Sequence, residues 1–161
     1  MYISTKTYCH SVGLSCCFRQ HRAKSHCRFL HGYALEVRVE FAAFVLDQNN
    51  WVIDFGSLKS FRTTLEQHFD HKTIVAEDDP DIDMFTMLEK HGLARLTMVK
   101  ATGCEAFAEL IYTLAQQWLI ENNQWSRVKV ARVEVSEHGG NSAIYTEHVP
   151  TEMLRNELYG G

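Results

Sequence analysis

Hydrophobic and polar positions change period twice along this chain. Leu35, Val37, Val39 and Phe41 alternate with Glu36, Arg38 and Glu40. Side chains two apart on an extended chain share a face, so 33–46 is predicted to be a strand with one buried and one polar side. Residues 2–18, rich in Thr, Tyr, Val and Cys, are read as extended, with a bulge or bend at Gly13. They pair with 33–46 across a polar loop at 19–25. Asp47, Gln48, Asn49 and Asn50 make a turn, followed by the short apolar run WVIDF.

From Ser57 the spacing lengthens to three and four residues, with Leu58, Phe61, Leu65 and Phe69 on one stripe of a helix and Ser57 as its N-cap. A second, shorter helix is predicted after Pro80, with Met84, Met87 and Leu88 turned inward and Gly92 closing it. A third, over 104–122, places Phe107, Ile111, Leu114 and Trp118 on one face. Alternation then returns at 127–137 through Val128, Val130, Val133 and Val135, slipping phase near Ala131 as at a bulge. A last strand over 142–147 follows the HGGN turn. This order predicts an α+β fold with helices on one face of an antiparallel sheet.

Composition narrows the class. At 161 residues, 45% hydrophobic and 22% charged, the chain reads as a single globular domain over 1–161. Neither of its two prolines, Pro80 and Pro150, lies in a linker-like stretch. A net charge of −4 supplies no basic footprint, which argues against nucleic acid as a partner. No apolar run is long enough for a bilayer span, and the first residues show no secretory pattern, so no membrane partner is expected and the cytoplasm is the expected compartment. Five cysteines, an odd number, argue against a disulfide framework there and leave metal binding, catalysis or burial.

Nine histidines include no H-x-x-x-H pair on a predicted helix. His31 shares a strand face with position 33, but Tyr33 is a poor zinc ligand, and a lone histidine of this kind is more often hydrogen-bonded core. Asp70 beside His71 suits either a proton relay, the carboxylate holding the imidazole's tautomer, or a solvated helix terminus. Glu137, ending an alternating strand, is placed to accept paired hydrogen bonds from an amidine-like edge such as that of a pterin or guanine. Arg19, Arg22 and Lys24 precede Cys27 in a loop that is either solvated or built to bind a phosphorylated anion and lower the thiol's pKa. No Walker loop or dinucleotide glycine fingerprint is present.

Cys27, LHGY at 30–33, WVIDFGSLK at 51–59, Asp70-His71, GCEAFA at 103–108 and VEVSE ending at Glu137 occur in that order. Together they resemble the 6-pyruvoyl-tetrahydropterin synthase family, and within it the bacterial 6-carboxytetrahydropterin synthases of the queuosine pathway. The resemblance spans nearly the whole chain. It implies the tunnelling fold: a four-stranded antiparallel sheet backed by two main helices, with several subunits closing their sheets into a barrel. Active sites then lie between subunits of a homo-oligomer, expected to be a hexamer made of two trimers, with Cys27 and Glu137 contributed by different subunits or across a seam.

The resemblance also implies roles. Cys27 is the base that removes a side-chain proton from dihydroneopterin triphosphate, Asp70 and His71 form the relay, Glu137 anchors the pterin ring, and Glu105 and the backbone near Thr102 line its pocket. The implied cofactor is a zinc ion held by three histidines, one ending the first strand and two in a His-Gly-His on the second. Here only His31 remains, with Cys16 at the first position by gap-free counting and Tyr33 at the third. A cysteine thiolate is a zinc ligand. A two-residue slip would place Phe18 at the first position instead, and His26 or a water is the alternative third ligand. The implied activity is that of a 6-carboxytetrahydropterin synthase-like lyase. The other readings are a related enzyme on another pterin or purine, and a non-catalytic pterin- or purine-binding subunit.

Overall fold

The computed structural model describes residues 1–147. His148 and Pro150, noted above, lie outside the described residues. Strands β1 (Tyr2–Tyr8), β2 (Leu14–Phe18) and β3 (His31–Ala43) come first. Helix α1 (Lys59–Phe69), strand β4 (Lys72–Ala76), helix α2 (Ile82–Lys90), strand β5 (Leu96–Val99) and helix α3 (Cys104–Glu121) follow. Strands β6 (Lys129–His138) and β7 (Asn141–Tyr145) complete the described order.

The predicted first strand is two strands. Gly13, at φ +85°, sits where a left-handed turn is needed after a short 3-10 turn at His10–Val12. It lets β1 and β2 share one long partner. β2 pairs with the first part of β3, Phe18 opposite His31 through Leu14 opposite Leu35. β1 pairs with the rest, Tyr8 opposite Val37 through Tyr2 opposite Ala43.

The expected four-stranded antiparallel sheet is present as β1, β3, β6 and β7, but it belongs to a larger mixed sheet of seven strands. β4 lies parallel to β2, and β5 parallel to β4. Those two additions escaped the periodicity reading for a physical reason. Thr73, Ile74, Val75 and Ala76 are all buried, so β4 shows an apolar run with no alternation.

Leu35, Val37, Val39 and Phe41 on β3, with Val133 and Val135 on β6, form the floor of the core. Phe61, Leu65 and Phe69 of α1 and Phe107, Ile111 and Leu119 of α3 cover it. The opposite face of the sheet is charged, with Glu40 paired to Arg132 at 3.1 Å and to Arg38 at 3.4 Å. The phase slip is a bulge at Ala131: Glu40 faces Arg132 and Phe41 faces Val130.

Helix placement differs from expectation in two respects. Ser57 does not cap α1; its hydroxyl donates to Asp54 O, and the helix begins at Lys59. Met84, Met87 and Leu88 of α2 are exposed, and Phe85 is the residue that turns inward. At the edge beside β5, α2 is anchored by that ring, over which the Arg19 guanidinium sits 5.6 Å from the centroid, and by Glu89 Oε1, which accepts the Leu96 N–H at 2.8 Å. No helix of the described residues is long and apolar enough to cross a membrane.

Candidate functional site

Cys27 is positioned by a local turn and one long-range hydrogen bond. The Ser25 hydroxyl accepts the Cys27 N–H at 3.4 Å and starts a 3-10 turn over His26–Arg28. The Cys27 carbonyl accepts the Gln20 N–H at 2.9 Å, which folds the turn back beside the chain leaving β2. There Thr102 Oγ1 donates to Arg19 O at 2.6 Å. Gly103 is at φ +113°, and a Cβ on it would lie 2.5 Å from Gln20 Nε2. Gln20 can give way, so it is the positive φ that favours glycine at the entrance to α3. The turn carrying Cys27 and the first turn of α3, with Cys104 and Glu105, are thus held against one stretch of chain.

The end of β6 closes the group. Burial, then the charges of Glu137 and Glu105, push the Cys104 thiol up to about 12. The Tyr33 phenol is raised by burial and by the negative charges of Glu137, Cys27 and Cys104. All three groups therefore lie within electrostatic reach of Tyr33 in a single chain. Cys104 and Gln20 were not foreseen; the glycine before Cys104 was the one available signal.

Asp70 and His71 are elsewhere. Asp70 ends α1, and His71, at φ +54°, turns the chain into β4. Asp70 Oδ1 is 2.8 Å from His71 Nδ1, leaving Nε2 at the outer edge of a largely exposed ring. The His71 N–H donates to Ser15 O at 2.7 Å, five residues before the Gln20 that holds Cys27. In extended chain that is on the order of 15 Å. Within one chain the relay pair is thus anchored at Ser15 and Cys27 at Gln20.

The mouth of the β2–β3 pair holds the expected metal residues. Register places Cys16 opposite Tyr33 and Phe18 opposite His31. The Phe18 ring lies 4.9 Å from that of His31 and 6.2 Å from that of Tyr33; His31 and Tyr33 are 5.6 Å apart, and Tyr33 is 6.1 Å from His138. His31 Nδ1 is bonded to Phe29 O at 2.7 Å. Burial, reinforced by Cys17 and Cys104, pushes the Cys16 thiol up to about 12.

The cationic loop is not an open anion site. Arg19 forks onto buried Asp79, Nε to Oδ2 at 2.9 Å and the terminal nitrogen to Oδ1 at 2.5 Å, and also reaches Asp81 at 2.6 Å. Arg22 pairs with Asp78. Arg19 is thus committed to the acidic β4–α2 turn, and Arg22 makes a surface ion pair with the same turn. A cavity of about 370 Å³ beside them is lined by Gln20, His21, Lys100 and Thr102 among others.

The 6-pyruvoyl tetrahydropterin synthase family model matches residues 9–148. The chain belongs to that family. Among its relatives, the 6-carboxy-5,6,7,8-tetrahydropterin synthase of Aquifex aeolicus is 26% identical over 132 residues, covering 81% of this chain and 82% of that protein. An uncharacterised protein from Wolinella succinogenes superposes with a TM-score of 0.73 at 21% identity, covering 91% of this chain and 98% of that one. The 6-pyruvoyl tetrahydropterin synthase of Plasmodium vivax superposes at 0.64 with 17% identity, covering 92% and 100%.

For this family member the implied zinc set does not fit the residues present. Among the described residues no three His, Cys, Asp or Glu side chains gather as a metal site. His31 is flanked instead by phenylalanine and tyrosine rings.

Proposed function

We propose that this protein is a cytoplasmic 6-carboxytetrahydropterin synthase-like lyase that acts on 7,8-dihydroneopterin triphosphate on the route to queuosine and other 7-deazaguanines. The observation that carries the reading is the single-chain grouping of Cys27, Glu137 and Tyr33 at the start of α3. A carboxylate and a thiol within electrostatic reach of one phenol are more than a scaffold requires. The name of the Aquifex aeolicus relative supports the choice of reaction.

In this reading Glu137 accepts the paired N–H groups of the pterin edge, with Glu105 and the Thr102 backbone beside it. That anchoring aims the substrate's side chain at Cys27, which takes the carbon-bound proton. Asp70 fixes the His71 tautomer so that Nε2 can move a proton to or from a substrate oxygen. Because His71 is remote from Cys27 in its own chain, the pair serves the pocket of a neighbouring copy. We therefore also propose a homo-oligomer, a dimer of trimers, in which β1 and β7, the outer members of the four antiparallel strands, meet between copies.

The test is incubation of purified protein with 7,8-dihydroneopterin triphosphate and mass-spectrometric analysis of the pterin product. Formation of 6-carboxytetrahydropterin supports the reading. A 6-pyruvoyl product reassigns the reaction. Stoichiometric pterin binding without turnover identifies a binding subunit.

A further inference from the structure

We infer that the pocket of this chain works without a bound metal, its place taken by the aromatic wall of Phe18, His31 and Tyr33. This rests on the proposed reading for the nature of the ligand, but the argument about the wall stands on geometry alone.

A zinc ion needs donor atoms at roughly 2.0–2.3 Å from one point. On these two strands the point would have to lie between the β2 residue facing His31 and the alternate residues of β3. Register puts Phe18 there. Its ring is fully buried and held edge-on against Phe107, centroids 5.0 Å apart at 86°, so it does not swing aside without opening the core. At 4.9 Å from the His31 centroid, it is in van der Waals contact with the imidazole.

The third position is also a ring: Tyr33 stands edge-on to His31 at 83° and continues to His138, so the wall is one run of rings. His31 Nδ1 is bonded to Phe29 O, which leaves Nε2 as its one available donor, and a single imidazole does not make a zinc site. What the wall offers is a run of tilted and edge-on rings behind the Tyr33 phenol, which lies within electrostatic reach of Cys27 and Glu137 and can donate a hydrogen bond to a substrate oxygen.

The experiment measures zinc per chain by elemental analysis on untagged protein purified without chelator. It repeats the measurement on Phe18→His/Tyr33→His, which would set three imidazoles around one point, and on Tyr33→Phe. Wild-type protein and Tyr33→Phe should carry far less than one zinc per chain, and neopterin binding, followed by fluorescence, should be unchanged by EDTA. The double variant, shown by circular dichroism to be folded, should gain about one zinc per chain.

One zinc per wild-type chain, or loss of neopterin binding with EDTA, would overturn the inference. So would a folded double variant that still takes no zinc, because the two rings would then not be what closes the site. Failure of the proposed function reads differently: metal-free protein with no turnover sinks the reaction and leaves the wall, whereas zinc-loaded protein with turnover does the reverse.

Discussion

Asp70 Oδ1 sits 2.8 Å from His71 Nδ1, and the backbone of His71 is tied to Ser15 rather than to the end of β2 where Cys27 is held. In the proposed oligomer a relay anchored at Ser15 and a base anchored at Gln20 come from two copies of the chain. Cys27→Ala and His71→Ala should each be inactive alone. Coexpressed in equal amounts, they should regain activity, because about one shared site in four pairs an intact Cys27 with an intact His71. Absence of any recovery would contradict the shared site.

Cys27 and Glu137 are predicted to separate chemistry from binding. Cys27→Ala should lower kcat by about 10²–10⁴-fold while leaving neopterin affinity within a few-fold. Glu137→Ala should weaken binding by about 1.5–3 kcal/mol, on the order of 10- to 100-fold, because it removes a charged acceptor. Fluorescence titration and steady-state rates read both effects, and the opposite pattern would exchange the roles.

The five cysteines should differ sharply toward a thiol reagent at neutral pH. Cys9 is exposed, whereas Cys16 and Cys104 are buried with thiols pushed up to about 12. Since the thiolate is the attacking form, Cys9 should label first, and Cys16 and Cys104 only as the protein unfolds. A mass-spectrometric time course checks the order; native-state labelling of Cys16 at the rate of Cys9 would contradict it.

Asp79 should make stability depend on acid. Its hydrogen bonds from Arg19 hold the carboxyl below the ordinary range, so the folded state releases this proton more readily than the unfolded one. The contribution is complete above the unfolded pKa of about 4 and disappears as pH falls through the lower folded value. Asp79→Ala leaves Arg19 with only the exposed Asp81, and should cost on the order of 3 kcal/mol at pH 7, with a flatter stability profile below pH 4. Urea melts across pH measure both; a parallel acid slope in the variant would assign that slope to other groups.

Phe107 supports the site from beneath, edge-on to both Phe18 and Phe69 at 5.0 and 5.4 Å. Phe107→Ala should cost about 3–5 kcal/mol in urea denaturation and loosen the ring of Phe18 above it. A loss below about 1 kcal/mol would mean that the surrounding side chains collapse into the space.

Local pattern determined most of the elements. The alternation of Leu35 to Phe41, the stripes of Phe61, Leu65 and Phe69 and of Phe107, Ile111 and Trp118, and the slip at Ala131 are consequences of strand and helix period, which neighbours in sequence suffice to express. The ordered residues from Cys27 to Glu137 likewise carried the family. β4 was silent because a strand buried on both faces has no alternation to show, and the faces of α2 were misjudged because hydrophobicity does not reveal which neighbour exists.

What the tertiary structure alone decided are relations between distant positions. Arg19 meets Asp79 across 60 residues, turning a cationic loop into an internal ion pair. Cys27 and Glu137 converge on Tyr33 only because β6 lies beside β3. The choice between Cys16 and Phe18 opposite His31 is a matter of strand register, and a shift along a strand changes every partner at once. Composition and periodicity act along the chain, while pairing and charge compensation are settled by which segments pack together.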